Sequence, residues 1–242
     1  MILIIFLISH ILADYVFQTK NMAEKKKYSI KVLSFHAAIY SLVFFVTYLL
    51  LFQISLSWKS FLIIAVSHAV IDVGKEKVEA KLLFKHPSLP FFSFLLDQIL
   101  HISILVFVLC YFSLEKHTNL YYQNIEAMPH FREIVSYILL FLVILTPSSV
   151  FIKKMFLLLS TETEEDSGTK AGNMIGKLER ALIVILLLQN QYEAIGFVLA
   201  AKSIARFRQL DDKEFAEKYL VGTLASVLLA LGATLLLKDF VV

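Results

Sequence analysis

Histidine and aspartate residues recur in pairs, four positions apart, along the first part of the chain. The three pairs are His10 and Asp14, His68 and Asp72, and, in the reverse order, Asp97 and His101. A spacing of four places both side chains of a pair on one face of a helix. Imidazole nitrogens and carboxylate oxygens on such a face are ligands for a divalent metal, and the imidazole-rich set favours zinc. Together with His36, the pairs predict a metal site drawn from seven candidate ligands.

The segments that must position these pairs are long and apolar. The chain has 242 residues, of which 58% are hydrophobic, and it contains only 7 glycines and 4 prolines. This composition predicts an all-α, polytopic transmembrane helical bundle rather than a soluble domain. About eight spans are expected, at residues 1–17, 32–52, 60–73, 89–112, 134–152, 178–190, 192–207 and 218–237. The first segment lacks a basic start, so it is expected to be a retained helix rather than a signal peptide.

Basic residues set the expected orientation of this bundle. One set of alternate loops carries 18 of the 23 basic residues, and these loops are 18–31, 74–88, 153–177 and 202–218. The opposite side carries four, namely Lys59, Lys116, Arg132 and Lys238. Because loops rich in lysine and arginine stay in the cytoplasm, both termini are expected outside. The chain is thus predicted to be a multi-pass protein of the cell inner (cytoplasmic) membrane, and its basic residues need no nucleic-acid partner.

Three regions follow from this topology. Residues 1–112 form a four-helix core that bears the His/Asp pairs, 113–133 form an outer loop, and 134–242 form the C-terminal membrane helices. Within the last region, 178–207 is expected to be a charged hairpin that turns at residues 189–191. One long tilted helix is the alternative, but it would move a basic loop to the outer side.

Two further segments carry expectations of their own. Residues 74–87 mix charged and apolar side chains, which is typical of a short interfacial helix on the cytoplasmic side. Residues 160–175 are acidic and small and are expected to form a mobile loop.

The predicted orientation brings the seven candidate ligands to one depth. The first and third segments run inward and carry their pairs near their cytoplasmic ends. The second and fourth segments run outward and carry His36 and the Asp97–His101 pair within a few turns of the same edge. Because only lysines and arginines fixed the orientation, this agreement supports a shared site in the cytoplasmic half of the membrane.

Other readings of the same residues stay open. A single histidine or aspartate near a helix end often extends to the interface or caps the helix. Histidine–aspartate pairs also form structural hydrogen bonds between membrane helices. A chain of such groups can instead conduct protons or ions.

Four residues outside the ligand set are candidate substrate-binding groups. Gln18 follows Asp14 by one helical turn, and Lys75 follows Asp72 by three residues. Lys202 and Arg206 share a helix face in the C-terminal hairpin. These two form either an ion-pair network with the hairpin's glutamate or a basic pocket for a lipid phosphate.

Three motifs give the chain a family resemblance. The segments SHILADYVFQ, SHAVIDVGK and DQILHI resemble an uncharacterised family of bacterial multi-pass membrane proteins of unknown function, and GKLERALIVILLLQNQYEAIGFVLAAKSIARF extends the resemblance to 176–207. The first four helices are also similar, more distantly, to membrane proteins regarded as metal-dependent hydrolases. That second resemblance implies ligand roles for His10, Asp14, His68 and Asp72, and it matches His36, Asp97 and His101 less closely.

Three classes of function are compatible with the sequence. The leading hypothesis is a metal-dependent hydrolase of a lipid or lipid-linked phosphate at the cytoplasmic membrane face, with Asp97 as general base. The second is a transporter of a divalent metal or a proton-coupled solute. Few ionisable residues in the outer halves of the first four segments count against it. The third is a membrane scaffold or regulatory protein. The sequence does not set the oligomeric state of the protein.

Overall fold

The computed structural model describes residues 1–82, 88–159 and 170–241, and this part of the chain is helical without a β-strand. Its first helices are α1 (Ile2–Ile11), α2 (Lys20–Lys25), α3 (Ile30–Leu51), α4 (Ile54–Leu82), α5 (Leu89–Tyr111) and α6 (Leu120–Glu126). The later helices are α7 (Phe131–Leu145), α8 (Pro147–Leu159), α9 (Lys170–Leu188), α10 (Tyr192–Ala205) and α11 (Lys213–Val241). Residues 160–169 of the expected loop 160–175 lie outside the described residues. The last six residues of that segment, 170–175, form the start of α9.

Several of these helices are long and apolar enough to cross a membrane. Within the described residues there are five such stretches, namely Ile30–Leu51, Ser57–Lys81, Leu89–Tyr111, Phe131–Leu158 and Lys213–Leu237. Ile2–Val16 is a shorter apolar helical segment. The all-helical architecture predicted from the sequence is therefore confirmed for the described residues, and their long apolar helices indicate a membrane protein.

The chain divides into two compact units, Met1–Leu139 and Leu140–Val242. The first unit contains the expected four-helix core together with residues 113–139, so the segment expected as an outer loop packs with that core. Part of this segment is helical, because α6 begins behind an Asn119 cap whose side chain accepts a hydrogen bond from the Tyr122 backbone at 2.7 Å.

Aromatic side chains form the core at one end of the first unit. The ring of Phe6 on α1 lies 5.7 Å from those of Phe44 and Tyr48 on α3, and 6.1 Å from that of Phe52. Such pairs add edge-to-face and stacking attraction to the packing of large side chains. This end of the unit is apolar, so the polar residues that follow Phe6 along α1 lie towards its other end.

Helix α4 is longer than the sequence suggested. An interfacial helix was expected at 74–87, but α4 continues without a break through Leu82, and residues 83–87 lie outside the described residues. Asp72 therefore sits about three turns before the end of α4 rather than at its edge. The charged residues after Asp72 suggested that the helix leaves the membrane there. Two of them, Glu76 and Glu79, are instead buried on α4, 9% and 8% exposed.

The second unit packs α9 against α11 around a small apolar core. Its buried members are Leu140, Ile144, Ile183, Val184 and Ala230. Helix α9 ends at Leu188 and α10 begins at Tyr192, so the chain turns at residues 189–191, with Asn190 in the left-handed region at φ 56°. Asparagine adopts this conformation more readily than most residues.

Candidate metal centre

The end of α1 changes its helical geometry where it enters the polar region. After Ile11 the backbone widens into a π-helical turn, Leu12–Val16, which contains Asp14. Single π-helical turns inside α-helices are frequent at functional sites. The turn keeps Asp14 beside its predicted partner, since His10 Nδ1 lies 3.8 Å from Asp14 Oδ2.

Four helical segments direct polar side chains into one buried space. His36 on α3 is fully buried, His68 on α4 is 1% exposed, and His101 on α5 is 3% exposed. Neighbouring ring centroids are close, with His36 5.2 Å from His68 and His68 4.7 Å from His101. All seven predicted ligands therefore lie in one cluster, contributed by α1 with its π-helical turn, α3, α4 and α5.

Ring nitrogens of two histidines lie close to carboxylate oxygens of two aspartates in this cluster. His36 Nε2 lies 3.3 Å from Asp14 Oδ1 and 3.5 Å from Asp72 Oδ2. His68 Nε2 lies 3.8 Å and 4.0 Å from the same two oxygens. Ligands at about 2.0–2.2 Å from a tetrahedral ion are roughly 3.4 Å apart. These four nitrogen–oxygen distances thus approach the spacing between ligands of a tetrahedral ion such as zinc.

Other combinations of the same side chains also approach ligand spacing. Three overlapping groups each place one ligand atom per residue within 4.8 Å of the others. The groups are Asp14, His68 and His101; His36, His68 and Asp72; and Asp72, Asp97 and His101. Because the groups share members, the cluster has donors for one ion or for two neighbouring ions.

A chain of hydrogen bonds sets the tautomer of His68. His101 Nδ1 lies 2.8 Å from the backbone oxygen of Asp97, which can only accept, so Nδ1 carries the proton. Neutral His101 then presents a lone pair at Nε2, which is 2.8 Å from His68 Nδ1. His68 therefore donates from Nδ1, and its Nε2 is left with a lone pair.

That lone pair faces other acceptors rather than a donor. Nε2 of His68 points towards oxygens of Asp14 and Asp72, and neither it nor Asp14 Oδ1 has a hydrogen-bond partner in the described part of the chain. Both ring nitrogens of His36 also lack a hydrogen-bond partner there, so no hydrogen bond sets the tautomer of His36. Buried acceptors that face one another are unfavourable unless a cation lies between them. The donor set fits a divalent metal ion, or an additional proton in its place.

His10 has a supporting position in this arrangement. Its Nε2 lies 3.2 Å from Gln98 Oε1, and its Nδ1 lies 3.3 Å from the hydroxyl of Tyr40. Both ring nitrogens are therefore used in hydrogen bonds. Gln98 continues the chain by donating to Asp97 Oδ2 at 3.0 Å. The geometry favours His10 as a residue that orients its neighbours, although the sequence grouped it with the ligands.

Two lysines balance part of the negative charge. Lys26 Nζ donates to Asp72 Oδ2 and Lys75 Nζ to Asp97 Oδ2, each at 3.0 Å. With neutral histidines, the three aspartates of the cluster exceed these two ammonium groups by one charge. A divalent cation would reverse the sign of that small excess and would share Asp72 with Lys26.

The remaining predicted residues fall in different places. Gln18 follows the π-helical turn, and its Oε1 is buried without a hydrogen-bond partner in the described chain. Lys75 contacts Asp97, as given above. Lys202 and Arg206 belong to the second unit, where Lys202 pairs with Glu179 at 2.6 Å.

Sequence reasoning missed two residues of the cluster. Lys26 was counted only as one of three consecutive lysines that set the topology, yet it is 8% exposed. The Tyr40 ring stacks on that of His68, with centroids 3.5 Å apart and planes 4° apart. Its position four residues after His36 is a signal that could have found it, because both lie on one face of α3.

Comparison with known proteins gives one match. Residues 2–129 match the model of a family described as a protein of unknown function (DUF3307). No curated protein and no solved structure shows significant similarity to the chain. The matched range includes all seven predicted ligands and ends before the 176–207 segment, and the resemblance to metal-dependent hydrolases stays a prediction.

Proposed function

The chain belongs to the DUF3307 family of unknown function, and we propose that it is a metal-dependent hydrolase of a lipid or lipid-linked phosphate at the cytoplasmic membrane face. One observation carries the proposal. The lone pair of His68 Nε2 is buried opposite two carboxylates, 3.8 and 4.0 Å away, with no donor between them. A resident divalent cation, which we propose to be zinc, removes this conflict.

The residues that would hold this ion are His36, His68, Asp14 and Asp72. When bound, a divalent ion supplies Lewis acidity, which makes water a competent nucleophile near neutral pH. By accepting a hydrogen bond from His68 Nδ1, His101 would keep the Nε2 lone pair of His68 directed at the ion. Supporting hydrogen bonds of this kind fix the ring orientation of a metal ligand.

Asp97 is the proposed general base. Its Oδ2 is held by Lys75 and Gln98, while its Oδ1 is buried without a hydrogen-bond partner in the described residues. Asp97 lies within ligand-atom reach of Asp72 and His101, since one atom from each lies within 4.8 Å of the others. Oδ1 is thus available to take a proton beside the ion. Lys75, charged and next to this oxygen pair, is the proposed partner of a substrate phosphate.

The lipid class of substrate is supported by the surface next to the cluster. An apolar groove of about 500 Å³ runs between α3 and α4, with Ala37, Ser41, Ala65, Ala69 and Val73 among its lining residues. Ala37 and Ala69 directly follow the ligands His36 and His68 in sequence. Small side chains on the outer face of two membrane helices leave room for an acyl chain beside the polar centre.

The proposed topology has more membrane crossings than the five long apolar stretches. We propose about eight crossings of the inner membrane with both termini outside, because this arrangement keeps 18 of the 23 basic residues on the cytoplasmic side. The single cysteine, Cys110, can be replaced by serine. New cysteines placed one at a time at Lys25 and Lys116 should then react with an impermeant maleimide from opposite sides of oriented vesicles.

The activity can be tested with the full chain in lipid nanodiscs. Protein loaded with Zn²⁺ is incubated with phosphatidic acid or with a polyprenyl diphosphate, and released inorganic phosphate is measured. We expect release from at least one substrate, and we expect the Asp97→Asn variant to keep its metal while its rate falls by about 100-fold or more.

His130→Asn is the matched control, because His130 is exposed and pairs only with Glu133 within the described residues. Its metal content and rate should equal those of the unchanged protein. Full metal occupancy without phosphate release from either substrate would reject the hydrolase proposal and leave the metal centre in place. Absence of bound metal under all loading conditions would reject both.

A further inference from the structure

A second polar cavity lies within the second unit, away from any histidine. It has a volume of about 240 Å³ and is lined by parts of α8, α9, α10 and α11 and by Arg206, which follows α10. Arg180, Lys202, Arg206 and Lys218 line it, with Glu179 as the single carboxylate among the lining residues. All seven histidines of the chain precede residue 140, so this cavity contains none.

Arg180 is built into the wall of this cavity. It is 3% exposed, and its Nε donates to the backbone oxygen of Ile144 at 2.6 Å. Its two terminal nitrogens donate to Ser226 Oγ at 3.2 Å and Ser149 Oγ at 2.5 Å. All three partners are neutral, so these hydrogen bonds hold the guanidinium in place without cancelling its charge. A fixed, buried positive charge of this kind attracts an anion.

Lys202 differs from Arg180, because its positive group pairs with a carboxylate, that of Glu179. Lys202 Nζ donates to Glu179 Oε2 at 2.6 Å and to Thr223 Oγ1 at 2.9 Å. Glu179 Oε1 is buried without a hydrogen-bond partner in the described chain. A buried carboxylate oxygen of this kind requires a donor. The cavity therefore presents several positive groups and one acceptor that needs a hydroxyl or ammonium hydrogen.

We propose that this cavity binds the phosphate of a small headgroup that also carries a hydrogen-bond donor. The phosphate meets Arg180, Lys202 and Arg206, and the donor meets Glu179 Oε1. A volume of about 240 Å³ admits a headgroup but is below the roughly 300–1,000 Å³ of typical pockets for larger ligands. The source is either a membrane lipid, whose chains stay outside the cavity, or a free phosphorylated polyol. The proposal does not depend on the metal centre or on hydrolysis.

Binding can be measured by native mass spectrometry of the full chain. Phosphatidylglycerol offers a phosphate and hydroxyl donors, whereas phosphatidylcholine offers a phosphate with a quaternary ammonium that cannot donate. We expect phosphatidylglycerol to bind about 5-fold or more tightly than phosphatidylcholine. Displacement of the lipid by glycerol 3-phosphate would assign the site to a free ligand, and retention of the lipid would assign it to a headgroup. Absence of binding by either probe would overturn the proposal.

Two arginines provide a matched pair of variants. Arg206 lines the cavity, whereas Arg208, two residues later, is exposed and does not. Arg206→Gln should weaken phosphatidylglycerol binding about 5-fold, as expected for one basic residue near a lipid phosphate, and Arg208→Gln should leave it unchanged. Equal effects of both substitutions would mean general surface attraction and would overturn the proposal.

Two further variants test shape and donor recognition. A Cβ added at Gly176 would lie 3.5 Å from Arg180 Nη1, an ordinary contact, so Gly176→Leu should fill the cavity and abolish binding. Glu179→Gln should remove the preference for phosphatidylglycerol over phosphatidylcholine, and it carries the test if Gly176→Leu fails to fold. His130→Asn, at an exposed position of the first unit, should bind phosphatidylglycerol as the unchanged protein does. An unchanged preference in Glu179→Gln would overturn the donor assignment.

Discussion

The two units bury polar groups of opposite character. In the first unit, acceptors face one another, because His68 Nε2 lies opposite oxygens of Asp14 and Asp72, and neither it nor Asp14 Oδ1 has a hydrogen-bond partner within the described residues. In the second unit, donors dominate, because Arg180 and Lys202 contribute their hydrogens to serine, threonine, backbone and a single glutamate. Unopposed acceptors require a cation, and a cluster of fixed positive donors attracts an anion.

The buried groups of the two units also differ in the segments that they join. The acceptor cluster draws on α1, α3, α4 and α5, which meet only through tertiary packing. Arg180 instead joins neighbouring segments of its own unit, through Ile144, Ser149 and Ser226. We therefore expect ligand affinity to respond most to substitutions in the first unit and folding stability to respond strongly to Arg180.

The largest expected effect is on metal affinity and concerns His68. Replacement by alanine removes a central acceptor of the cluster, so affinity for Zn²⁺ should fall by more than about 100-fold, beyond the roughly 10–100-fold typical of supporting residues. Titration of the purified protein combined with elemental analysis measures this. His130→Asn serves as the control because the His130 side chain is 72% exposed. If His68→Ala and His130→Asn bound equal amounts of metal, the buried acceptors of the first unit would no longer distinguish it as a cation-binding unit.

The next effect is on stability and concerns Arg180. Arg180→Met removes three hydrogen bonds of a buried charged group and takes this donor from their acceptors, so we expect the free energy of unfolding to fall by about 2–4 kcal/mol. Denaturant titration in mixed micelles measures it. Arg208→Met, at an exposed position, should stay within about 0.5 kcal/mol of the unchanged protein. A smaller loss at Arg180 than at Arg208 would contradict the structural role.

A moderate effect is expected at His101, which orients His68 through a 2.8 Å hydrogen bond. His101→Ala should weaken metal affinity about 10–100-fold while the number of ions bound stays the same, as is usual when an orienting partner is lost. A titration that resolves stoichiometry from affinity makes the test. Loss of one ion at saturation would instead identify His101 as a direct ligand of a second metal.

An effect of opposite sign is expected at Lys26. Its ammonium lies 3.0 Å from Asp72 Oδ2 and repels a cation that shares this oxygen. Lys26→Met should raise metal affinity about 10-fold. The free energy of this change is a fraction of the repulsion of roughly 4 kcal/mol between unit charges 4 Å apart at an effective dielectric constant of 20. Lys25→Met, at an exposed neighbouring position, should change nothing. A fall in affinity at Lys26 would show that the ammonium positions Asp72 for binding.

The smallest effect concerns a neutral hydrogen bond between α1 and α3. Ser9 Oγ and Thr47 Oγ1 lie 2.7 Å apart, and both are buried. Thr47→Val keeps the shape and removes this bond, so the free energy of unfolding should fall by about 0.6 kcal/mol, the average for such bonds between membrane helices. Metal affinity should stay unchanged. A large loss of metal would mean that the cluster depends on the tilt of α1 more than on its own ligands.

Much of the first unit could be predicted from the sequence. Paired residues at a spacing of four identified Asp14, Asp72 and Asp97 as members of one cluster, because helical periodicity puts each beside its histidine. The length and continuity of α4 could not be predicted in the same way. Charged residues after Asp72 normally indicate that a helix leaves the membrane, but burial of Glu76 and Glu79 depends on neighbours from elsewhere in the chain.

The sequence by itself determined that this chain is a helical membrane protein whose histidines and aspartates belong together. Composition, segment length and a spacing of four are local properties, and they act before any helix meets another. Only the tertiary structure decided the role of each residue. The bond from His68 to His101, the contact of Lys26 with Asp72 and the hydrogen bonds of His10 join residues 30 to 88 positions apart. Such bonds depend on how the helices pack, and packing fixes which lone pairs remain for a cation.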